Sequence, residues 1–194
     1  MKPKFYEIFK DIFPYNISDE QVKKFLYQFK DTDFSKLLID KDDVNFDLND
    51  FKQGDIFNNV PMSRIDFDFQ TGFEQEIRLT KAMIISNSCD IERRNYVLFA
   101  PIMSLKNVKN KNLEKDIKQN IKASVLYLGN EGYEDECIVL EEMFTLKLET
   151  FNHFVKQGNI FKLDELNQYG YYLLLAKISH FLVRPESKDV YRYD

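Results

Sequence analysis

The stretch that decides the fold is GDIFNNVPMSRIDFDFQTGFEQEIRLTKAMIISNSCDIERRNYVLFAPIMS, residues 54–104. Within it, apolar and polar side chains alternate over residues 65–69, and Thr71-Gly72 interrupts the alternation as a turn does. Residues 82–85 and 96–102 are short apolar runs typical of strands, the first of them a buried one. Several short strands at close spacing predict a small, mostly antiparallel barrel or sandwich and disfavour a parallel sheet.

The chain before this stretch has the spacing of helices. Apolar residues recur at helical intervals over residues 5–13 and again over 22–29, each set on one helix face. Two such short helices cannot bury their apolar faces alone, so we expect residues 1–50 to pack on the following domain as a helical appendage. A segment that fills a groove on a partner is the alternative. The phenylalanines expected to be buried are Phe5, Phe9, Phe13, Phe25 and Phe29.

Helical spacing also follows the strand region. Apolar residues at steps of four predict an inserted helix over about residues 110–124, with Glu114 and Lys118 as an i, i+4 ion pair. A long final helix is predicted from about Asp164 to Arg184, because a proline follows and disfavours helix at the residue before it. The chain is therefore predicted to be α+β. Its divisions are an N-terminal helical appendage (1–50), a small barrel with an inserted helix (51–148) and a C-terminal helical segment (149–194).

The composition excludes several classes of protein. The chain has 27 lysines and arginines against 32 aspartates and glutamates, a net charge of −5, which disfavours non-specific coating of nucleic acid. Its two cysteines form neither a disulfide framework nor a C-x-x-C pair for zinc or redox chemistry. No uncharged run approaches the roughly 20 residues of a membrane span, and the N-terminus lacks the pattern of a signal peptide. We therefore expect a cytoplasmic protein with no cofactor, no metal site and no membrane contact.

Four motifs follow one another in the strand region. They are Gly54-Asp55-Ile56, Gly72-Phe73-Glu74-Gln75, Ala82-Met83-Ile84-Ile85-Ser86 and Phe99-Ala100-Pro101-Ile102-Met103-Ser104. This order resembles the MazF/PemK group of small barrels, and residues 138–145 are similar to a later strand and helix start of that group. The resemblance implies an SH3-like antiparallel barrel, often a homodimer, that cuts single-stranded RNA. Residues 53–57 and 86–91 are also similar to segments of uncharacterised bacterial and prophage proteins.

The resemblance further implies a catalytic arginine and a catalytic threonine, and neither stands at its matching position. The arginine of the group's Arg-Pro motif falls on Thr80, with Lys81 after it, and the threonine falls on Met103. RNA cleavage by 2′-hydroxyl attack needs an acid–base pair and a cation beside the phosphorane, and a methionine supplies neither. We therefore expect a non-catalytic or catalytically altered relative that binds a protein or RNA partner, in a bacterial toxin–antitoxin, prophage or defence context.

An active endoribonuclease with a rebuilt catalytic site is the alternative. Arg78 lies two residues before the position of the group's arginine, and thus on the same strand face. Cys89 and Asp90 follow a predicted strand, where functional side chains are common, and complete the candidate catalytic set. A thiolate nucleophile would also need a base, such as His153 or His180, and a lowered pKa. The competing interpretation is a buried, inert Cys89 with Asp90 capping a turn.

Six lysines after the fourth motif form the candidate nucleic-acid-binding set. Placed on the inserted helix and its approach, they would contact phosphates and make binding of RNA or DNA dependent on salt. The favoured alternative is a solvated helix face, because acidic residues interleave with them and no aromatic side chain is present for base stacking. The six are Lys106, Lys109, Lys111, Lys115, Lys118 and Lys122.

Overall fold

The computed structural model describes residues 37–39 and 51–182. The helices predicted before residue 30, and the burial of their phenylalanines, lie outside the described residues. Within these ranges the chain is α+β, as predicted, with seven strands in a mostly antiparallel sheet and four α-helices. The strands are β1 (Asp55–Asp68), β2 (Gly72–Ile84), β3 (Tyr96–Ser104), β4 (Val125–Tyr127), β5 (Glu136–Val139), β6 (Phe144–Lys147) and β7 (Phe161–Glu165). The helices are α1 (Ser88–Arg94), α2 (Lys111–Lys118), α3 (Leu148–Lys156) and α4 (Gln168–Leu182).

The sheet is open. Its strands follow the order β4-β5-β3-β2-β1-β7, each antiparallel to its neighbour, and β6 pairs with the first half of β3 outside this path. The predicted succession of antiparallel strands over residues 54–104 is confirmed by β1, β2 and β3. The path does not close on itself within the described residues, because β4 and β7 each pair with a single neighbour.

The centre of the sheet is buried on both faces. Ile56 and Met83 pack on one face in a cluster that includes Leu173 of α4. Phe57 packs on the opposite face in a second cluster, which includes Phe151 of α3. Successive strand residues point to opposite faces, so a strand covered on both sides is apolar throughout. This explains the continuous apolar run at residues 82–85, where the predicted buried strand is confirmed.

One extra residue interrupts the pairing of β1 with β2. Phe57 pairs with Ala82 and Val60 with Thr80, so β1 has two residues where β2 has one. The backbone of Asn59 adopts a left-handed φ of 59° at this bulge, a conformation that asparagine tolerates better than most residues. Because of the extra residue, Phe57 and Val60 are buried in the same cluster although they are three positions apart.

Beyond the bulge, β1 and β2 leave the rest of the sheet as a two-stranded projection. β7 pairs with β1 only over residues 55–58, and β3 pairs with β2 only over residues 82–84. The β1–β2 pairing nevertheless continues to Asp68 and Gly72, next to the predicted turn. The Asp68 carboxylate accepts hydrogen bonds from the amides of Gln70 and Thr71 and so holds the turn. We call residues 61–79 the arm and the other described residues the body.

The final helix starts later than predicted. Asp164, where the helix was expected to begin, lies in β7, and α4 begins at Gln168. The Asn167 side chain accepts hydrogen bonds from the amides of Tyr169 and Gly170 at the start of this helix. The prediction of helix at Asp164 is wrong because β7 exists through pairing with β1, a contact between distant parts of the chain that local spacing does not report.

Gly170 lets the chain segment 37–39 lie against α4. A side chain at Gly170 would meet the carbonyl oxygen of Leu37, so only glycine permits this approach. Leu38 also forms a bridge to Leu166, just after β7. The segment therefore joins the sheet and the helix at one end of the body.

The inserted helix is shorter than predicted. Helix α2 ends at Lys118, and Asn120 then adopts a left-handed φ of 55°. The side chain of Asn120 exchanges two hydrogen bonds with the backbone of Tyr127 in β4, both 2.8 Å long. The predicted ion pair between Glu114 and Lys118 is confirmed at 2.8 Å.

Candidate functional site

The ends of β2 and β3 bring together the positions at which the resemblance places catalytic residues. β2 pairs with β3 at Ala82 and Pro101, and Thr80 and Met103 each lie two positions beyond that pair. Alternation along regular strands puts Thr80 and Met103 on one face of the sheet, and the intervening Lys81 on the other. The Lys81 cation therefore does not stand on the face where the resemblance places its catalytic groups.

The ammonium of Lys81 is paired with the carboxylate of Glu136. Its ammonium Nζ donates to both carboxylate oxygens of Glu136 at 2.9 Å, and it lies 5.4 Å from the centre of the Tyr133 ring. The Tyr133 hydroxyl in turn donates to the Asp164 carboxylate at 2.6 Å. Burial, reinforced by this hydrogen bond, raises the pKa of Tyr133 well above its ordinary value, so its hydroxyl stays protonated near neutral pH and cannot act as a base.

Arg78 lies on the face of Thr80, as its spacing in a regular strand predicts. Its guanidinium is 3.5 Å from the carboxylate of Glu142 and 3.8 Å from the sulfur of Met62. The structure thus places a cation beside the position of the missing arginine, and places a carboxylate against that cation.

Arg78 lies in the middle of β2, whereas Cys89 follows the C-terminal end of this strand. The last residue of β2 is six positions after Arg78, which is about 20 Å along the strand. Cys89 lies beyond that end, in α1. Arg78 and the Cys89–Asp90 pair therefore do not converge on one groove as a rebuilt catalytic site requires.

Cys89 is exposed, so the expectation of a buried thiol is wrong. The cap of α1 is Asn87, whose side chain accepts a hydrogen bond from the Cys89 amide at 3.0 Å, and this replaces the predicted cap by Asp90. Asp90 instead lies 3.9 Å from Arg93 and 3.9 Å from Arg94. Residue 89 lies in α1 and not in the strand, so its position after a buried strand does not bury it.

Ser104, the hydroxyl residue next to Met103, and the candidate base His153 have other surroundings. Ser104 accepts a hydrogen bond from the Lys106 amide at 3.3 Å, and its hydroxyl begins a short turn of 3-10 helix. His153 is exposed on α3, with its ring centre 5.8 Å from that of Phe154. Among the hydrogen bonds and ion pairs of the described residues, none joins His153 to Cys89.

The six candidate lysines do not form one helix face. Only Lys111, Lys115 and Lys118 belong to α2, where steps of four and three residues place them side by side. Three of the six are paired with carboxylates, and these ion pairs are Lys106–Asp135 at 3.5 Å, Lys118–Glu114 at 2.8 Å and Lys122–Glu141 at 3.7 Å. Half of the predicted basic surface is therefore locally neutralised.

The body contains two buried charged sites that the sequence patterns did not reveal. Asp55 is fully buried and lies 3.0 Å from the ammonium of Lys162, which also contacts Glu165 at 2.8 Å. Burial raises the pKa of Asp55, and the backbone hydrogen bond from Lys52 and the charge of Lys162 oppose that rise. Asp55 and Lys162 are more than 100 positions apart in the printed sequence, so local spacing carries no signal for this pair.

Lys177 is the second buried charge. Its ammonium donates to the carbonyl oxygens of Asn120 and Lys122, at 2.5 and 2.7 Å, and so ties α4 to the loop after α2. Burial lowers the pKa of Lys177 to about 7. With two hydrogen bonds to backbone carbonyls, this lysine serves the packing of the body.

An open depression of about 440 Å³ lies along α3 beside the end of α1. It is lined by Asn95, Leu148, Glu149, Asn152, His153 and Lys156. Of these, His153 was a candidate base, but Arg78, Cys89, Asp90 and the six candidate lysines are not among them. Over residues 37–39 and 51–182, no three histidine, cysteine or acidic side chains are grouped so that they could hold a metal ion. No helix in these ranges is long and apolar enough to cross a lipid bilayer.

The arm presents an uncovered apolar surface. Residues that pair across the two strands point to the same face, and four such pairs share this one. The pairs are Pro61–Leu79, Ser63–Ile77, Ile65–Gln75 and Phe67–Phe73. Six large apolar side chains here are between 54 and 95% exposed, namely Ile65, Phe67, Phe69, Phe73, Ile77 and Leu79. We call this surface the apolar face.

The reverse face of the arm carries all of its charges. They are Arg64, Asp66, Asp68, Glu74, Glu76 and Arg78. The alternation that divides the arm into two faces is visible in the sequence on both sides of Thr71-Gly72. It did not predict an exposed surface, because a half-buried strand and a free arm have the same alternation.

Comparison of the chain with protein-family models and with curated proteins finds no match in either.

Proposed function

We propose that this protein is a diverged MazF/PemK-like protein that has exchanged RNA cleavage for the binding of a protein partner, within a bacterial toxin–antitoxin, prophage or defence context. The observation that carries the proposal is the apolar face of the arm. Contiguous apolar surfaces of this kind on folded proteins mark sites of interaction with other proteins or with membranes.

Charge favours a protein over RNA as the partner. The arm has two arginines and four carboxylates, all on the reverse face, so its own charge repels a phosphate backbone. The apolar face has aromatic rings but no cation beside them, whereas proteins that bind single-stranded RNA combine stacking rings with a basic groove. An anionic membrane surface is disfavoured by the same net negative charge.

The ion pairs of Arg78 and Lys81 argue against catalysis. A phosphorane needs a cation aimed at its developing charge, and Lys81 and Arg78 both face carboxylates, those of Glu136 and Glu142. Met103 has no proton to donate or accept. A substrate phosphate would have to displace an ion pair to reach either cation.

The proposal is tested by two measurements on the full chain. In a cleavage assay on mixed-sequence single-stranded RNA, we expect no cutting above background by the wild-type protein. Cutting that Arg78→Ala or Cys89→Ala abolishes would instead establish the rebuilt endoribonuclease and overturn the proposal.

The second measurement uses a photo-crosslinking phenylalanine analogue in cells. Placed at Phe69, at the exposed tip of the apolar face, it is expected to form adducts with protein and not with RNA. The matched control is the same analogue at Glu76, on the reverse face, where few adducts are expected. Adducts with RNA at position 69, or equal protein adducts at both positions, contradict the proposal.

A further inference from the structure

The apolar face is large enough to form a stable interface. Taking roughly 200 Å² for a fully exposed side chain of this size, its six exposed side chains present about 800 Å² of accessible surface. The largest apolar patch of a typical monomer is about 300–600 Å². One partner of a standard protein–protein interface contributes about 800 Å², so this single face has the area that a stable dimer requires.

The arm also lacks the support that a hairpin of this kind needs. Over residues 61–79 the two strands pair only with each other among the described residues. An isolated two-stranded hairpin is marginally stable in water, and it becomes stable when one face packs on another layer. Phe67 packs edge-on against Phe69 and Phe73, with ring centres 5.3 and 5.0 Å apart, yet these rings remain largely uncovered.

The chemistry of the apolar face suits a second copy of itself. A two-fold axis brings the residues nearest to it close to their own copies, so a charge near the axis of a self-associating face would meet a like charge. The apolar face carries none. Its only polar side chains, Gln75 and Ser63, share a hydrogen bond of 2.9 Å between the amide nitrogen and the hydroxyl oxygen. This bond lowers the cost of covering these two side chains.

We propose that the apolar face of the arm binds the same face of a second copy of this chain, so that the protein is a homodimer joined by its arms. The inference rests on the proposed function, since it names the protein partner. The tip of the arm carries phenylalanine rings, and its base carries Ile77 and Leu79. With the arms antiparallel, the rings of one copy lie on the aliphatic base of the other, as two layers about 10 Å apart.

The test measures the mass of the full-length protein by sedimentation equilibrium. At about 50 µM, where an interface of standard size associates, we expect twice the monomer mass of 23.2 kDa. Ile77→Lys places a charge on the apolar face and is expected to raise the dissociation constant by about 100-fold or more. Glu76→Lys introduces the same side chain at the adjoining position of the reverse face, and is expected to leave the dimer intact.

A second pair of variants separates loss of the contact from loss of the fold. Gln75 lies near the middle of the apolar face, so the proposed axis passes close to it. Gln75→Lys and Gln75→Glu are each expected to be monomeric, because like charges meet across the axis. An equimolar mixture is expected to recover the dimer through the opposite charges.

Three outcomes overturn the inference. They are a monomeric wild-type protein, a dimer that Ile77→Lys does not weaken, and a mixture of the Gln75 variants that associates no better than either alone. A monomer would mean that residues 1–36 of the same chain or a different protein cover the apolar face. If the protein is a monomer but position 69 still crosslinks to another protein, only the inference of a homodimer fails. If the protein cleaves RNA, the proposed function fails, whether the protein is a monomer or a dimer.

Discussion

The strands β1 and β2 run through both the body and the arm, and the two regions differ in what covers these strands. In β1, Ile56 and Phe57 are both fully buried, whereas Phe69, at the end of the arm, is 95% exposed. Both regions are rich in apolar residues and both are paired antiparallel. The difference is that β3, β7 and two helices cover the strands in the body, whereas the apolar face of the arm is exposed. Strand formation and burial are therefore separate properties here.

The largest expected difference between the body and the arm is the loss of unfolding free energy when a phenylalanine is removed. Phe151 is fully buried, with its ring centre 4.8 Å from that of Phe51 and 5.2 Å from that of Phe57. Phe151→Ala is expected to lower the free energy of unfolding by about 3–5 kcal/mol, because it removes buried area and leaves a cavity. Phe69→Ala, in the arm, is expected to change it by less than about 0.5 kcal/mol in dilute solution. Urea unfolding followed by circular dichroism measures both, and comparable losses would contradict the division into body and arm.

An intermediate difference in the free energy of unfolding is expected when one partner of an ion pair is removed. Lys162→Met leaves the buried Asp55 without its opposing charge and is expected to cost about 3 kcal/mol at pH 7. The pKa of Asp55 is already raised by burial, so in this variant the carboxyl takes up a proton on acidification, and the loss should be smaller at pH 5. The matched variant in the arm is Arg64→Met, which breaks an exposed ion pair with Asp66 at 3.0 Å. It is expected to have little effect on unfolding at either pH.

The double variant Asp55→Asn/Lys162→Met removes both buried charges and provides the control for that measurement. It is expected to be more stable than Lys162→Met alone, since no uncompensated carboxylate remains. A double variant as unstable as the single one would show that Lys162 acts through packing of its side chain rather than through its charge.

The smallest expected effect is a pH dependence that belongs to the body alone. The pKa of Lys177 is about 7 in the folded protein and has its ordinary value of 10.5 in the unfolded chain. Above pH 7 the unfolded chain therefore binds more protons, and the free energy of unfolding rises with pH by at most about 1.4 kcal/mol per pH unit. Lys177→Met should lose this rise, measured between pH 7 and 8.5. Burial raises the pKa of Cys137 to about 11, which produces the opposite slope at higher pH and limits the range. Identical slopes in the two proteins would contradict a neutral Lys177.

Local chemistry made part of this fold predictable. Thr71-Gly72 marked the hairpin turn, residues 82–85 marked a strand buried on both faces, and Glu114 with Lys118 marked the exposed side of α2. Each of these signals depends on residues within a few positions of one another. The extent of α4 was overestimated for the same reason, because β7 depends on a partner strand far away in the chain.

The candidate site was less predictable because its chemistry depends on long-range pairing. Arg78 and Lys81 could be named from the sequence, but Glu142 and Glu136, which offset their charges, lie more than 50 positions further along. Cys89 was expected to be buried because free cysteines usually are, and the cap that Asn87 provides starts a helix that exposes it. Alternation revealed the two faces of the arm, but only the three-dimensional arrangement of the described residues reveals that one apolar face is uncovered.

The bulge near Asn59 has a consequence for how the apolar face is encoded. The body fixes which way Phe57 points, and the single extra residue then sets the phase of every following side chain in β1. With that residue absent, Ile65 and Phe67 would exchange sides with Arg64 and Asp66, while β2 kept its phase. Both faces would then mix charged and apolar groups, and neither would be uniform. The number of residues between Phe57 and the arm therefore determines which side chains form the apolar face. One insertion or deletion there would destroy this face without altering any residue of the arm.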